Sequence, residues 1–322
     1  MTPSASRPVR GATGGAVPAV GHALANDGER PDPRATDRVD RLVDRLVDLL
    51  AGRPWAALTG AGMSTDSGIP DYRGPGAVRT TPMMYDEFVT DPAQRRRYWA
   101  RSMLGWQAFS AARPNAGHAA LVGMPGLVGI VTQNVDGLHQ GAGSSRVVDL
   151  HGRIDRVVCL DCRRYSDRAR LQERLHALNP QVDGYLPAGA AELATARLRP
   201  DGDAEVDDWA DFAVAPCEDC GGTLKPDVVF FGESAVRSVV SDAFALVDEA
   251  AVVVVLGSSL TVMSGLRFVR HAARYERPVA IVNRGATRGD DLARLRVEAG
   301  VGEVLTLLRA ALTDPRGGDP TT

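Results

Sequence analysis

The chain has 322 residues, 44% of them hydrophobic and 24% charged. That is ordinary globular composition, with room for one large domain carrying an insertion, or for two domains. A net charge of −3 supplies no basic field for sequence-independent nucleic-acid binding, and no stretch approaches the ~20 apolar residues of a membrane span. Lys225 is the only lysine, so 36 of the 37 basic residues are arginine, which we take as coding bias.

Residues 1–36 are rich in Ala, Gly, Pro, Arg and Ser without apolar periodicity or a continuous signal-like core, and read as a disordered tail, with the fold starting near Asp37. "DRVDRLVDRLVDLLAG" repeats apolar residues at three- and four-residue intervals, an amphipathic helix ended by Gly52. A short strand, "WAALTG", then enters "TGAGMSTDSGIPDYRG". Gly60 and Gly62 stand where a dinucleotide fingerprint wants them, but Thr65 occupies the third glycine's place and Pro70 breaks the helix that should follow. The pattern of residues 83–112 is helical, and "RPNAGHAALVG" opens another helix. "GLVGIVTQNVDGLH" is a buried strand breaking into a polar loop.

Four cysteines follow, as Cys159-x-x-Cys162 and Cys217-x-x-Cys220, with a long insertion between the pairs. Two knuckles of this spacing suit one tetrahedral zinc ion, and four thiolates leave no open position for catalysis. "DVVFFGE", the all-apolar "AAVVVVLGSSL" and "RPVAIVNRG" complete the strands, and 311–322 reads as a second disordered tail. Continuous apolar strands separated by helices indicate a doubly wound parallel α/β sheet. Polar loops after four of them, at Gly60–Ser64, Gln133–Asp136, Gly257–Ser259 and Asn283–Gly285, converge beyond the strand ends, where such sheets bind ligands. No acidic residue lies where a dehydrogenase would hold the adenine ribose; Asn283 is placed to take that contact.

"GAGMSTDSGIPDYRG", "TQNVDGLHQ", "DLHG", the cysteine pairs, "LKPDVVFFGE", "GSSLTV" and "IVNRG" together resemble the sirtuin family of NAD-dependent protein deacylases, across roughly 37–310. Further stretches, "RRYWARSMLGWQAFSAARPNAGHAAL", "LQERLHALNP" and "GATRGDDLARL", resemble its class II branch, which includes a mitochondrial member with ADP-ribosyltransferase and lipoamidase activity. The resemblance implies a Rossmann-like NAD-binding domain (37–74, 113–150 and 224–310) with an inserted small lobe. That lobe would consist of a helical module (75–112) and a zinc-binding domain (151–223), with the active site between lobes.

It further implies that His151 is the general base, deprotonating a ribose hydroxyl after the acyl-lysine oxygen has attacked C1′. Asn134 and Asp136 would line the nicotinamide and ribose subsites, beside Gln133 and Val135. Ala61, Gly62 and Ser64 would offer backbone N–H groups to the pyrophosphate, a Cβ on Gly62 being excluded. Gly60, Thr65, Ile69, Pro70, Asp71, Tyr72 and Arg73 complete this loop, with Tyr72 as a wall against the nicotinamide ring and Arg73 as a phosphate partner. Gly257, Ser258, Ser259, Asn283, Arg284, Gly285 and Val301 would hold the adenosine side. Val229, Phe230, Phe231, Gly232 and Glu233 should present a strand edge to the substrate peptide. Tyr98 and Arg101, one helical turn apart, resemble the pair that grips an acidic acyl group in desuccinylating relatives; a charged helix face with Trp99 packed inward explains the same residues.

The expected activity is NAD-dependent removal of acetyl, longer or acidic acyl groups from lysine, giving nicotinamide and 2′-O-acyl-ADP-ribose. Mono-ADP-ribosyl transfer or lipoamidase-type activity is the alternative within enzymes, and a non-catalytic zinc-ribbon module the alternative outside them. Implied partners are acylated lysine peptides, one structural zinc ion and NAD as co-substrate, in a cytoplasmic protein with no nucleic acid, no membrane and a monomer as the default state.

Overall fold

The apolar runs become strands, and the polar residues that follow them become the loops leaving the strand ends. The computed structural model describes residues 33–72, 82–185 and 209–313. In chain order the strands are β1 (Trp55–Thr59), β2 (Leu127–Thr132), β3 (Val147–Asp149), β4 (Gly152–Cys159), β5 (Tyr165–Asp167), β6 (Leu224–Val228), β7 (Val252–Leu256), β8 (Val279–Val282) and β9 (Leu295–Val297). The helices are α1 (Pro33–Leu50), α2 (Tyr85–Thr90), α3 (Pro92–Ala111), α4 (Ala116–Leu121), α5 (Leu138–Ala142), α6 (Arg168–Leu178), α7 (Arg237–Glu249), α8 (Met263–Arg274) and α9 (Val301–Thr313).

Six strands form one parallel sheet in the order β3-β2-β1-β7-β8-β9. The chain builds outward from β1 through β3, then crosses back to β7 and builds the other way, so the order reverses between β1 and β7. Loops leaving those two strands diverge there and open the crevice of a doubly wound sheet. Period-two alternation fixes the register. Trp55, Ala57, Val252 and Val254 face a core shared with α1, α4 and α9, while Ala56, Leu58, Val253 and Val255 face one shared with α7 and α8. All five β7 side chains are fully buried; each contributes about 1.5–3 kcal/mol relative to exposure.

The second sheet, antiparallel in the order β5-β4-β6, carries the cysteine knuckles. One domain expectation changes here. Residues 224–228 belong to this small lobe, because β6 pairs with β4 with Leu224 opposite Cys159. The helical module and the cysteine-bearing segment share one core, in which Phe88, Tyr98 and Trp99 pack with Val157, Leu171, Leu224 and Phe230. The strand expected over "DVVFFGE" ends at Val228; Phe231 instead accepts the Tyr85 N–H at 2.9 Å, which ties the following loop to α2.

Of the expected tails, residues 1–32 and 314–322 lie outside the described residues, as does the insertion at 186–208. The first helix starts at Pro33 rather than Asp37, since proline suits a first helical turn, and α9 runs on to Thr313. Among the described residues no helix is long and apolar enough to cross a membrane.

Candidate active site

Between the lobes lies a cleft of about 660 Å³. It is lined by Gly60–Gly62, Ser64 and Ile69–Tyr72 after β1, Gln133–Asp136 after β2, His151, Val228–Ala235, Gly257–Ser264 after β7, and Asn283–Ala286 after β8. The four strand-end loops converge as their positions in the sequence indicate.

The two loops at the switch point dock directly on each other. Gly62 N–H donates to Gly257 O at 2.8 Å and Gly60 N–H to Leu256 O at 3.0 Å. A Cβ at Gly257, whose φ is +63°, would lie 2.5 Å from Gly62 C, and one on Gly60 would lie 2.7 Å from Ser258 Cβ. The opposing backbone crowds position 62 as well: a Cβ there would lie 3.0 Å from Gly257 Cα and O. Ser64 N–H is likewise used, by Ala61 O at 3.0 Å. Two tight single turns, Ala61–Met63 and Thr65–Ser67, replace the helix of a dehydrogenase. Thr65 caps back onto Gly62 O and stays outside the cleft wall. Arg73 lies outside the described residues. Val301 opens α9 but packs into the core under the sheet, away from the cleft.

Polar contacts tie β2's loop to both glycine loops. Gln133 Nε2 donates to Ser258 Oγ at 2.8 Å; Asn134 Nδ2 donates to Gly60 O and Ser64 Oγ, both at 3.0 Å. Ser64 Oγ donates in turn to Asp136 Oδ2 at 2.6 Å, and Leu138 N–H to Oδ1 at 2.9 Å. Burial pushes the Asp136 carboxyl up from the ordinary carboxylate range, against these hydrogen bonds and the charge of Arg153. Beneath it, Ile69, Phe109, Val135, Leu138 and Ile154 form a small apolar cluster. A flat ring with one polar edge suits such a floor and rim.

His151 follows β3 and faces this rim. Its Nδ1 lies 2.8 Å from Gln133 O and its Nε2 2.8 Å from Ser264 Oγ. A carbonyl only accepts, so Nδ1 carries the proton. Burial, with the Arg267 cation nearby, pushes the ring's pKa down despite the Gln133 bond. The neutral ring therefore turns a bare Nε2 to Ser264, a hydrogen-bond acceptor with the character of a general base.

The opposite wall comes from the small lobe. Val229 N–H donates to His151 O at 2.9 Å, so the base and the wall share one backbone link. Glu233 folds back to accept from Phe230 N–H at 2.9 Å and pairs at 3.0 Å with Lys225, which is 3% exposed. Lys225 and Glu233 thus staple the loop that carries Phe230 and Phe231. Tyr98 and Arg101 do not reach this wall. They are 3% and 5% exposed, with Tyr98 packed against Phe88 and Phe230, because α3 turns this face into the small-lobe core. Phe109, near the end of α3, does reach the cleft. Sequence reasoning also missed Ser264 and Arg267; the signal available was their place in the first two turns of a helix directly after "GSSLTV".

The four cysteine Sγ atoms all lie within 4.8 Å of one another, with Cys159–Cys220 at 3.6 Å and Cys162–Cys217 at 3.8 Å. Zn–S bonds of about 2.3 Å in a tetrahedron place sulfurs about 3.8 Å apart, so the cluster fits one zinc ion. The two knuckles are built alike: Arg163 N–H returns to Cys159 O, and Gly221 N–H to Cys217 O. Arg163 and Gly221, the residues after Cys162 and Cys220, both take positive φ, at 63° and 73°.

Sheet topology, docked glycine loops and a four-thiolate lobe over the strand ends define a dinucleotide-binding α/β protein with an inserted metal-ribbon domain. The Sir2 family model matches residues 60–264, and the chain belongs to the Sir2 family. An NAD-dependent protein deacetylase 1 of Streptomyces coelicolor is 54% identical over 272 residues, covering 82% of this chain and 88% of that protein. One of the same name from Mycobacterium avium is 51% identical over 268 residues, with 82% and 94% covered. A solved Sir2 complex with p53 peptide and NAD+ matches at 29% identity and a TM-score of 0.64, covering 82% of this chain and 95% of its own.

Proposed function

We propose that this protein is an NAD-dependent protein-lysine deacylase that transfers the acyl group to ADP-ribose. The observation that carries the reading is His151: a neutral, Nδ1-protonated imidazole at the rim of a cleft that both lobes line. NAD, when bound, supplies an electrophilic ribose carbon as its nicotinamide departs. Residues Asn283–Gly285 and Ser258–Ser259 would hold the adenosine end, and the docked Gly60–Gly62 and Gly257 loops would lie beside the pyrophosphate. Asn134 and Asp136 would hold the carboxamide beside the apolar cluster of Ile69 and Phe109, with Tyr72 on the same cleft wall. The acyl-lysine peptide lies between Phe230–Glu233 and Thr261–Ser264, and His151 takes the proton from the hydroxyl that captures the acyl group. The cysteine tetrad holds zinc and builds the small-lobe wall. Relatives named as deacetylases at about half identity support this chemistry, and a cytoplasmic, reducing setting suits four cysteines that form no disulfide.

Mass spectrometry of products from NAD and an acetyl-lysine peptide tests the reading. O-acyl-ADP-ribose and deacylated peptide are expected from the native protein, and about a 10²-fold or greater loss from His151→Gln. Free acetate released without nicotinamide would overturn it.

A further inference from the structure

We infer that Ser264 is a proton relay between His151 and the substrate hydroxyl, a role that rests on the deacylase reading above. Two bonds fix the imidazole: Nδ1–H donates to Gln133 O and Nε2 accepts from Ser264 Oγ, each at 2.8 Å. The Nε2 lone pair has room for one strong donor, and Ser264 already fills that place. A substrate hydroxyl arriving from the cleft therefore does not meet the base first. It meets Ser264, which lines the cleft beside His151 and whose oxygen keeps acceptor capacity while its proton points at Nε2.

The geometry of α8 holds the serine there. Ser264 stands in the helix's first turn, and Val262 O, at the turn's start, accepts the N–H groups of Gly265 and Leu266. Behind it, Gly265 leaves space for Gln133, whose Oε1 would lie 2.5 Å from any Cβ there. Gln133 supplies the carbonyl that fixes Nδ1, so one residue orients the base and packs beneath the relay. The step balances without a further reactant. The substrate hydroxyl gives its proton to Ser264 Oγ as Ser264 gives its own to His151 Nε2. The electron pair left on the substrate oxygen forms the new bond to the acyl carbon. The imidazolium then returns a proton by the same route to the lysine nitrogen as the carbon–nitrogen bond breaks.

The test compares the full-length zinc-loaded protein with Ser264→Ala and Ser264→Thr. Deacylation by the alanine variant is expected to fall by about tenfold or more, while exchange of labelled nicotinamide into NAD, which precedes the proton transfer, continues. Threonine keeps a hydroxyl and restores turnover. Independently of catalysis, NMR titration of the ligand-free protein reads the His151 ring, assigned by comparison with His151→Gln. Loss of a donor to the neutral ring raises its pKa by roughly 0.4–1 pH unit, the equivalent of one hydrogen bond. An alanine variant that deacylates as fast as the native protein or faster, or an unmoved titration, would overturn the relay. Native protein that fails to make O-acyl-ADP-ribose would instead overturn the deacylase reading, leaving the titration result intact.

Discussion

Behind the polar loop of β2 sit two histidines whose burial makes the fold sensitive to acid. His118 on α4 and His139 on α5 are 0% and 1% exposed, with ring centroids 4.8 Å apart. Asn115 N–H donates to His118 Nδ1 at 3.3 Å, which leaves the proton on Nε2. His139 Nε2 lies 3.0 Å from Thr59 Oγ1, which donates to Thr132 Oγ1 at 2.8 Å. Among the described residues His139 Nδ1, where an added proton would go, has no hydrogen-bond partner, and on His118 the added proton would go to Nδ1, which faces the Asn115 N–H and finds no acceptor there. Burial pushes His118 down to about 4 and His139 to about 3, the second also opposed by the charge of the first.

Both folded values lie below the unfolded value near 6.5, so the unfolded chain binds more protons in acid. The contribution is complete above about pH 6.5 and drains away as pH falls toward 4 and 3. At about pH 5.5 each histidine has removed about 1.4 kcal/mol, or about 2.8 kcal/mol for the pair, relative to about pH 8. Urea unfolding of the zinc-loaded protein at those two pH values measures this loss. His118→Gln keeps an acceptor near Asn115 and is expected to lower the loss by about half. Equal losses in native and variant protein would refute the argument, because every other titrating group is common to both.

Three further outcomes follow from the geometry. Gly257→Ala forces a Cβ to within 2.5 Å of Gly62 at positive φ; it is expected to cost about 1–3 kcal/mol and to shrink the rise in melting temperature that NAD confers. Chelation of zinc removes about 10–16 kcal/mol of binding free energy from the small lobe; hydrogen exchange should accelerate in β4–β6 before the six-stranded sheet, and activity should vanish. Lys225→Met leaves Glu233 without its ion pair on the substrate-facing loop. A rise in peptide KM of about tenfold with little change in kcat is expected, and steady-state kinetics with a Lys225→Arg control checks it.

The large sheet was legible because its strands are continuous apolar runs, and a run such as Val252–Leu256 has no other stable place than between two helical layers. The convergence of four loops was legible for the same reason, since polar residues directly after buried strands all emerge at one edge. The cysteine cluster was legible from spacing alone. What failed were readings that needed a direction in space. Tyr98 and Arg101 share a helix face as their spacing requires, yet periodicity does not say whether that face meets the cleft or the core of the lobe. Nor does local sequence show that a loop almost two hundred positions later in the chain crowds Gly62. Phe109 sits on a helix whose local pattern is dominated by core packing, so nothing in its surroundings marked it, and the one mark on Ser264 was its place directly after "GSSLTV".

The burial of Lys225 reaches beyond the loop it braces. It carries the chain's one side-chain amine, and that amine is enclosed, bonded to the carbonyls of Pro226 and Val228 and to Glu233. A protein built to strip modified lysines thus shows the solvent none of its own. Reactive acyl donors such as thioesters and acyl phosphates meet no lysine amine on its flanks, so its side chains offer no competing substrate however strongly its surroundings are acylated.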